Sequence, residues 1–212
     1  MAGTLEIELG GESLERSKVA LVVAGIFADE LPLRGGAGRV DWRLCGLVSD
    51  QIIAGRIRGE RGDALLVPST GQLRANRVLI VGLGPRAEFR LREVAECTAD
   101  AISRTVGLLA SSVAMTPLGV ESDDFSRCGE ALTFGAAIGF AQADARLRLR
   151  FIVPANEINR ASSEIEACMQ ADLKSTNRQA SMACVSFRRP TARVAASDIQ
   201  LHGHAGTART RR

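Results

Sequence analysis

The residues of this chain that could do chemistry fall in a few short strings, most of them built on glycine. Ser69-Thr70-Gly71 follows one apolar run and offers two hydroxyls beside a permissive backbone. Gly82-Leu83-Gly84 follows a second, and GLGPRA at 82–87 fits the pattern G-x-G-x-x-G/A. Open α/β sheets take ligands beyond the carboxyl ends of their strands. Ser69, Thr70, Gly71, Gly82, Leu83 and Gly84 therefore form the candidate ligand-binding set, for an ADP-ribose-like or nucleotide-like molecule. A dinucleotide fingerprint needs more: a helix that starts inside the motif, with its first amides on the pyrophosphate. Pro85 and the charged stretch after it push the helix start to about residue 90, and the next strand ends in Thr116-Pro117, not an acidic residue. No nicotinamide, flavin or other cofactor is expected. A third string, GGAG at 35–38, lacks the Lys-Ser/Thr of a P-loop and reads as a flexible connection.

Metal and acid–base chemistry find less support. His202 and His204 are two ligands at most, in a polar stretch. Asp123 and Asp124 are adjacent at a helix start and point apart, and Glu164 and Glu166 do not share a helix face. A two-metal hydrolase needs carboxylates clustered on a rigid frame. No catalytic or metal residue is assigned, and no enzymatic activity is expected. The five cysteines, at 45, 97, 128, 168 and 184, are odd in number and form no C-x-x-C pair. They read as reduced thiols of a cytoplasmic protein, with Cys97, Cys128 and Cys168 on apolar helix faces.

Composition narrows the classes further. Of 212 residues, 46% are apolar and 24% charged, which is globular. Aromatics are 4%, with no Tyr and one Trp, so the core must be aliphatic and stacking platforms are scarce. Trp42 is expected to be half-buried. No apolar run approaches the roughly 20 residues of a bilayer span, and the first residues lack a signal-like apolar segment. Net charge is +3, but residues 171–212 hold eight Lys/Arg against two Asp. That tail is +6, which leaves the first 170 residues at −3. The body therefore has no basic surface for specific nucleic-acid binding, and no membrane partner is expected.

The elements that must position these strings follow from periodicity. RVLIVGLG at 77–84 is a continuous apolar run broken by glycine, as expected of a central strand buried on both faces. Thr4–Leu9 alternates Leu5, Ile7 and Leu9 with Glu6 and Glu8, an edge-type strand. Lys18–Ile26 is a buried strand, Asp41–Gly55 a helix with Asp41 near its first turn, and Ala64–Val67 a short strand stopped by Pro68. A helix from about residue 90, a strand at Ser112–Thr116, a helix opening at Ser122, a strand at Arg146–Val153 and a helix at Ser162–Leu173 complete the body. Leu147, Leu149 and Phe151 face one way in that last strand, Arg146, Arg148 and Arg150 the other. The order β β α β β α β α β α predicts a mixed, roughly six-stranded sheet covered on both faces, a three-layer α/β/α fold. The domain is expected over 1–173. Residues 174–212 lack a sustained period and are expected to be a basic, disordered tail that folding does not need.

VALVVAGIF at 19–27, ALLVPS at 64–69, RVLIVGLGPRAEF at 77–89 and LRFIVPANEINRASSEIEACMQ at 149–170 resemble the N-terminal domain of the leucyl (cytosol) aminopeptidases. The resemblance covers roughly 18–170 and implies a macro-domain-like α/β/α fold. The full enzymes carry a second, catalytic domain with a two-metal site of Asp, Glu and Lys and a signature like N-T-D-A-E-G-R, and nothing here matches it. DWRLCG at 41–46 is not typical of them. The resemblance thus implies a non-catalytic, stand-alone domain that works in protein interaction, as a homo-oligomer or with a full-length aminopeptidase. A small-ligand module, or an aminopeptidase by family label alone, are the alternatives.

Overall fold

The computed structural model describes residues 3–120, 125–174 and 185–190. In chain order the elements are β1 (Thr4–Gly10), β2 (Leu21–Ile26), α1 (Gly35–Arg43), α2 (Leu47–Ile53), β3 (Ala64–Pro68), β4 (Arg77–Gly82), α3 (Leu91–Gly107), β5 (Ser112–Met115), α4 (Phe125–Phe140), β6 (Arg146–Ile152), α5 (Ile158–Lys174) and β7 (Val185–Arg188). The strands form one sheet in the order β3-β4-β2-β5-β6-β1-β7. Only β3 runs antiparallel to its neighbour. The sheet is therefore mixed, as the element order implies.

Alternating side chains send each strand's apolar residues to two cores. Leu5, Ile7, Leu21, Val23, Leu79, Val81, Leu149 and Phe151 pack against α3, α4 and α5. Val22, Ala24, Val78 and Ile80 pack against α1, α2 and Leu14. Helices on both faces make three layers. β4 is buried on both faces, but it lies next to the β3 edge, not at the centre of the sheet. The central place belongs to β5.

α3 and α4 meet through small residues. A Cβ at Gly135 would lie 2.4 Å from the Ala95 carbonyl oxygen, and one at Gly139 2.3 Å from that of Ala99. The two backbones touch because nothing stands between them.

Several expectations change. The single helix at Asp41–Gly55 is two helices, because Cys45 (φ 56°) and Gly46 (φ 86°) take the left-handed conformation and turn the chain. GGAG at 35–38 opens α1 and is no loose connection. Asp41 lies late in α1 and serves the next helix instead: its Oδ1 accepts the Val48 and Ser49 amides at 2.8 and 3.2 Å, and its Oδ2 the Ser49 hydroxyl at 2.5 Å. Trp42 is 76% exposed, not half-buried. β7 falls in the stretch read as tail, and it adds a seventh strand beyond β1. Thr4–Gly10 keeps its expected alternation without being the edge.

Candidate functional site

Parallel strands β2, β4, β5 and β6 end on one crest of the sheet. Gly82, Leu83 and Gly84 sit there, as expected. Their amides are not free. The N–H of Gly82 donates to the Asp63 carbonyl (2.9 Å), that of Leu83 to the Ile26 carbonyl (2.9 Å), and that of Gly84 to the Gly59 carbonyl (2.8 Å). Leu83 is buried. A Cβ at Gly82 would fall 1.9 Å from the Glu60 carbonyl oxygen. Gly82 is small because the 59–63 loop crosses it, and Gly84 takes φ +78° to turn the chain away. No phosphate cradle remains in these three residues.

The crest above them is capped by the chain's own side chains. Phe27 and Phe89 meet edge to face with centroids 5.2 Å apart. The Arg86 guanidinium lies 4.3 Å from the Phe27 ring centroid and pairs with Glu30 at 2.7 Å. The Arg86 amide donates to Asp29 Oδ1 at 2.9 Å.

Ser69, Thr70 and Gly71 lie at the other end of the sheet. β3 is antiparallel to β4, with Pro68 opposite Arg77, so the turn after β3 meets the beginning of β4. The Ser69 amide donates to the Asn76 carbonyl (3.1 Å), and the Thr70 hydroxyl to the Ser69 carbonyl (2.8 Å). The length of β4, roughly 20 Å at about 3.3 Å per residue, separates the two triplets. They cannot form one site. The physical reason was available in the sequence: a short stretch without a helix cannot carry a parallel crossover.

Two residues of the GGAG string, read from the sequence as a flexible connection, lie near the crest. Gly35 and Gly36 begin α1 beside the end of β5, where a Cβ at Gly36 would lie 2.9 Å from the Thr116 hydroxyl oxygen. The first N–H groups of a helix have no acceptor within it, which is the feature that anions use. The glycine cluster was the available signal.

Among the described residues no group of three His, Cys, Asp or Glu stands close enough to hold a metal ion. A two-metal site therefore has no fitting residues in this part of the chain. Glu8 and Glu12 receive hydrogen bonds from Arg150, each at 2.8 Å. Glu164 pairs with Arg160 at 3.3 Å, and Glu166 with Arg189. Burial pushes the Cys97 thiol up to about 11, so it stays protonated and unreactive near neutral pH. Asp123, Asp124, His202 and His204 lie outside the described residues.

The open surface is elsewhere, around α1. Trp42 lines two neighbouring grooves, of about 640 and 470 Å³. Pro32, Leu33 and Gln72 line the first with it, and Arg34, Arg39 and Glu15 the second. Arg43 reaches both and stacks 5.6 Å from the indole centroid.

Comparison with known proteins gives a consistent picture. The model of the cytosol aminopeptidase family, N-terminal domain, matches residues 22–140. A probable cytosol aminopeptidase of Bordetella pertussis is 32% identical over 163 residues, 71% of this chain and 32% of that protein. The chain thus spans about a third or less of the curated relatives it matches. In structure, a tomato leucine aminopeptidase mutant aligns with TM-score 0.61 at 15% identity, covering 82% of this chain and 37% of that one. A mutant Oceanobacillus iheyensis macrodomain also reaches 0.61 at 11% identity, covering 77% and 88%. The fold is macro-domain-like, as the resemblance implied. Among the described residues no helix is long and apolar enough to cross a membrane.

Proposed function

This chain belongs to the N-terminal domain family of the cytosol aminopeptidases, and from that premise we propose that it acts without catalysis, as a domain for protein interaction. Its partner is a second copy or a full-length aminopeptidase, in the cytoplasm that the relatives' names imply. One observation carries the reading: the crest where this fold could take a ligand is capped by Phe27, Phe89 and Arg86, while Trp42 stands 76% exposed beside open grooves. Sedimentation of the full chain, alone and with a cytosol aminopeptidase, tests it. Mass above the monomer, or co-migration with the enzyme, is expected. A chain that stays monomeric at high concentration and never co-migrates rules the reading out.

A second reading rests on Gly35 and Gly36 beside Thr116 at the strand ends. One similar structure is an Oceanobacillus iheyensis macrodomain with ADP. A small anionic ligand would lie over the first turn of α1, beside Thr116. Calorimetry with ADP-ribose decides it: heat of binding supports it, and flat traces at millimolar ligand remove it. The third reading, peptidase activity of its own, predicts turnover of leucine amide by the manganese- or zinc-loaded chain. None is expected above blank, since the described residues cluster no metal donors.

A further inference from the structure

We propose that the surface around Trp42 docks an acidic, apolar-anchored segment of a partner protein, laid in extended form across both grooves. This rests on the interaction reading above and names where the partner sits and what its chemistry must be.

The anchor point is the indole. α1 buries Ala37, Val40 and Asp41 and turns Trp42 outward, 76% exposed. Leu31, 63% exposed, precedes Pro32 and Leu33 at the same groove. Tryptophan and arginine are the residue types in which binding energy concentrates at protein interfaces. Both grooves are lined by Leu33, Gly38, Trp42 and Arg43, so an extended chain can run from one into the other while a compact ligand fills one.

Charge selects the occupant. Arg34, Arg39 and Arg43 line the second groove, and its one acidic lining residue is Glu15. Glu15 is paired with Arg39 at 3.5 Å. Asp41 lines the first groove with Arg43 and keeps its charge while it accepts from the first turn of α2, so the surplus of positive charge lies in the second groove. Arg34 reaches only Glu30, at 3.8 Å, with its side chain 77% exposed. The surface is therefore apolar at Trp42 and Leu33, which both grooves share, and positive along the second groove. The complementary segment carries a bulky apolar residue with Asp or Glu on the side that enters the second groove.

The test pans a phage-displayed library of random short peptides on the immobilised full chain, with Trp42→Ala protein as the counter-target. Trp42 is exposed, so that variant keeps the fold, which its circular dichroism verifies. Acidic peptides around a Leu, Phe or Trp should be enriched. The best of them, as a synthetic probe, should shift the emission of Trp42, the one tryptophan of the chain. Its binding should weaken at least tenfold with Trp42→Ala or with Arg39→Glu/Arg43→Glu, and fall as salt rises. The idea is overturned by basic or charge-neutral winners, by no enrichment over the counter-target, or by tighter binding of oligodeoxythymidylate than of the peptide. Sedimentation of the Trp42→Ala chain separates the two claims. If it still associates while peptide binding fails, interaction stands and this surface does not.

Discussion

On one face of the sheet lie three helices of 16 or 17 residues, α3, α4 and α5. On the other lie α1 and α2, of nine and seven. The long helices pack backbone to backbone at Gly135 and Gly139 and cover the apolar face from β4 to β1. The short pair shields mainly β2 and β4. Beyond it the face of β6 and β1 carries charge: Arg148 stands in register with Glu6, and Arg150 with Glu8. Opposite charges paired across strands let an uncovered sheet face meet water. The deep face holds the fold, and the shallow face leaves side chains such as Trp42 for other work. Substitutions should therefore cost most on the deep face and fade toward the shallow one and the β7 edge.

The largest effect is expected at Val81, which is 1% exposed and faces the three-helix core. Val81→Asp buries a carboxylate with no partner or forces it to protonate, at a cost on the order of 4 kcal/mol. That is much of the roughly 5–15 kcal/mol a domain has. Arg77→Asp, at the start of the same strand, should cost under about 1 kcal/mol. Urea titration compares them, and a Val81→Asp midpoint close to wild type would mean the deep face is not closed over β4.

Next come two glycines in helices of that face. Helix propensity alone says Gly→Ala gains up to about 1 kcal/mol at either. At Gly135 the new Cβ would meet the Ala95 backbone, which cannot swing aside, so Gly135→Ala should lose about 1–3 kcal/mol. At Gly107 nothing lies within 4 Å of the added carbon, so Gly107→Ala should gain a few tenths to about 1 kcal/mol. Opposite signs in thermal melts are the expected outcome, and equal signs would remove the close packing from the account. On the shallow face, Asp41→Ala strips three hydrogen bonds from the start of α2 and should cost about 1–2 kcal/mol. Asp41→Asn should recover part of it, because one side-chain oxygen can still accept.

How far the sequence could carry this depends on how local each cause is. β4 was legible because RVLIVG is apolar throughout, and α3 because Val94, Cys97, Ala101 and Ile102 repeat at helical spacing and are buried. The break between α1 and α2 was not, because Leu44, Leu47, Val48 and Ile52 keep that spacing across it. Periodicity does not register two left-handed residues at Cys45 and Gly46. The outward turn of Trp42 was lost with the break. GGAG read as a connection because it lacks the Lys-Ser/Thr of a P-loop, yet α1 starts there, with Gly36 tucked against Thr116. The paired triplets at 69–71 and 82–84 failed for a topological reason, the antiparallel course of β3. β7 is four residues long, and its partner β1 is at the far end of the chain, so no local pattern marks it.

The smallest effects belong to β7. Val185 and Phe187 lean on the deep core half-buried, and the strand pairs with β1 from Leu5 to Glu8. Cutting the chain after Lys174 should cost about 1–2 kcal/mol, or about 3–6 °C in melting temperature. No shift at all would restore the dispensable tail expected from the sequence. Just beyond β7, Arg189 donates to both oxygens of Glu166 on α5. That hydrogen bonding, with the guanidinium charge, holds the Glu166 carboxyl below its ordinary range. A carboxyl whose folded value lies below its unfolded value, about 4.3, stabilises the fold above the unfolded value. The contribution is lost as pH falls through the folded one. The pair lies at the surface, with Arg189 exposed and Glu166 half-buried, so the effect is small and screened by salt. Arg189→Ala should therefore lower the melting temperature slightly at neutral pH and low salt, and match wild type once Glu166 is protonated in acid. A gap that widens on acidification would mean Arg189 is not held by Glu166, and the end of β7 would need another anchor.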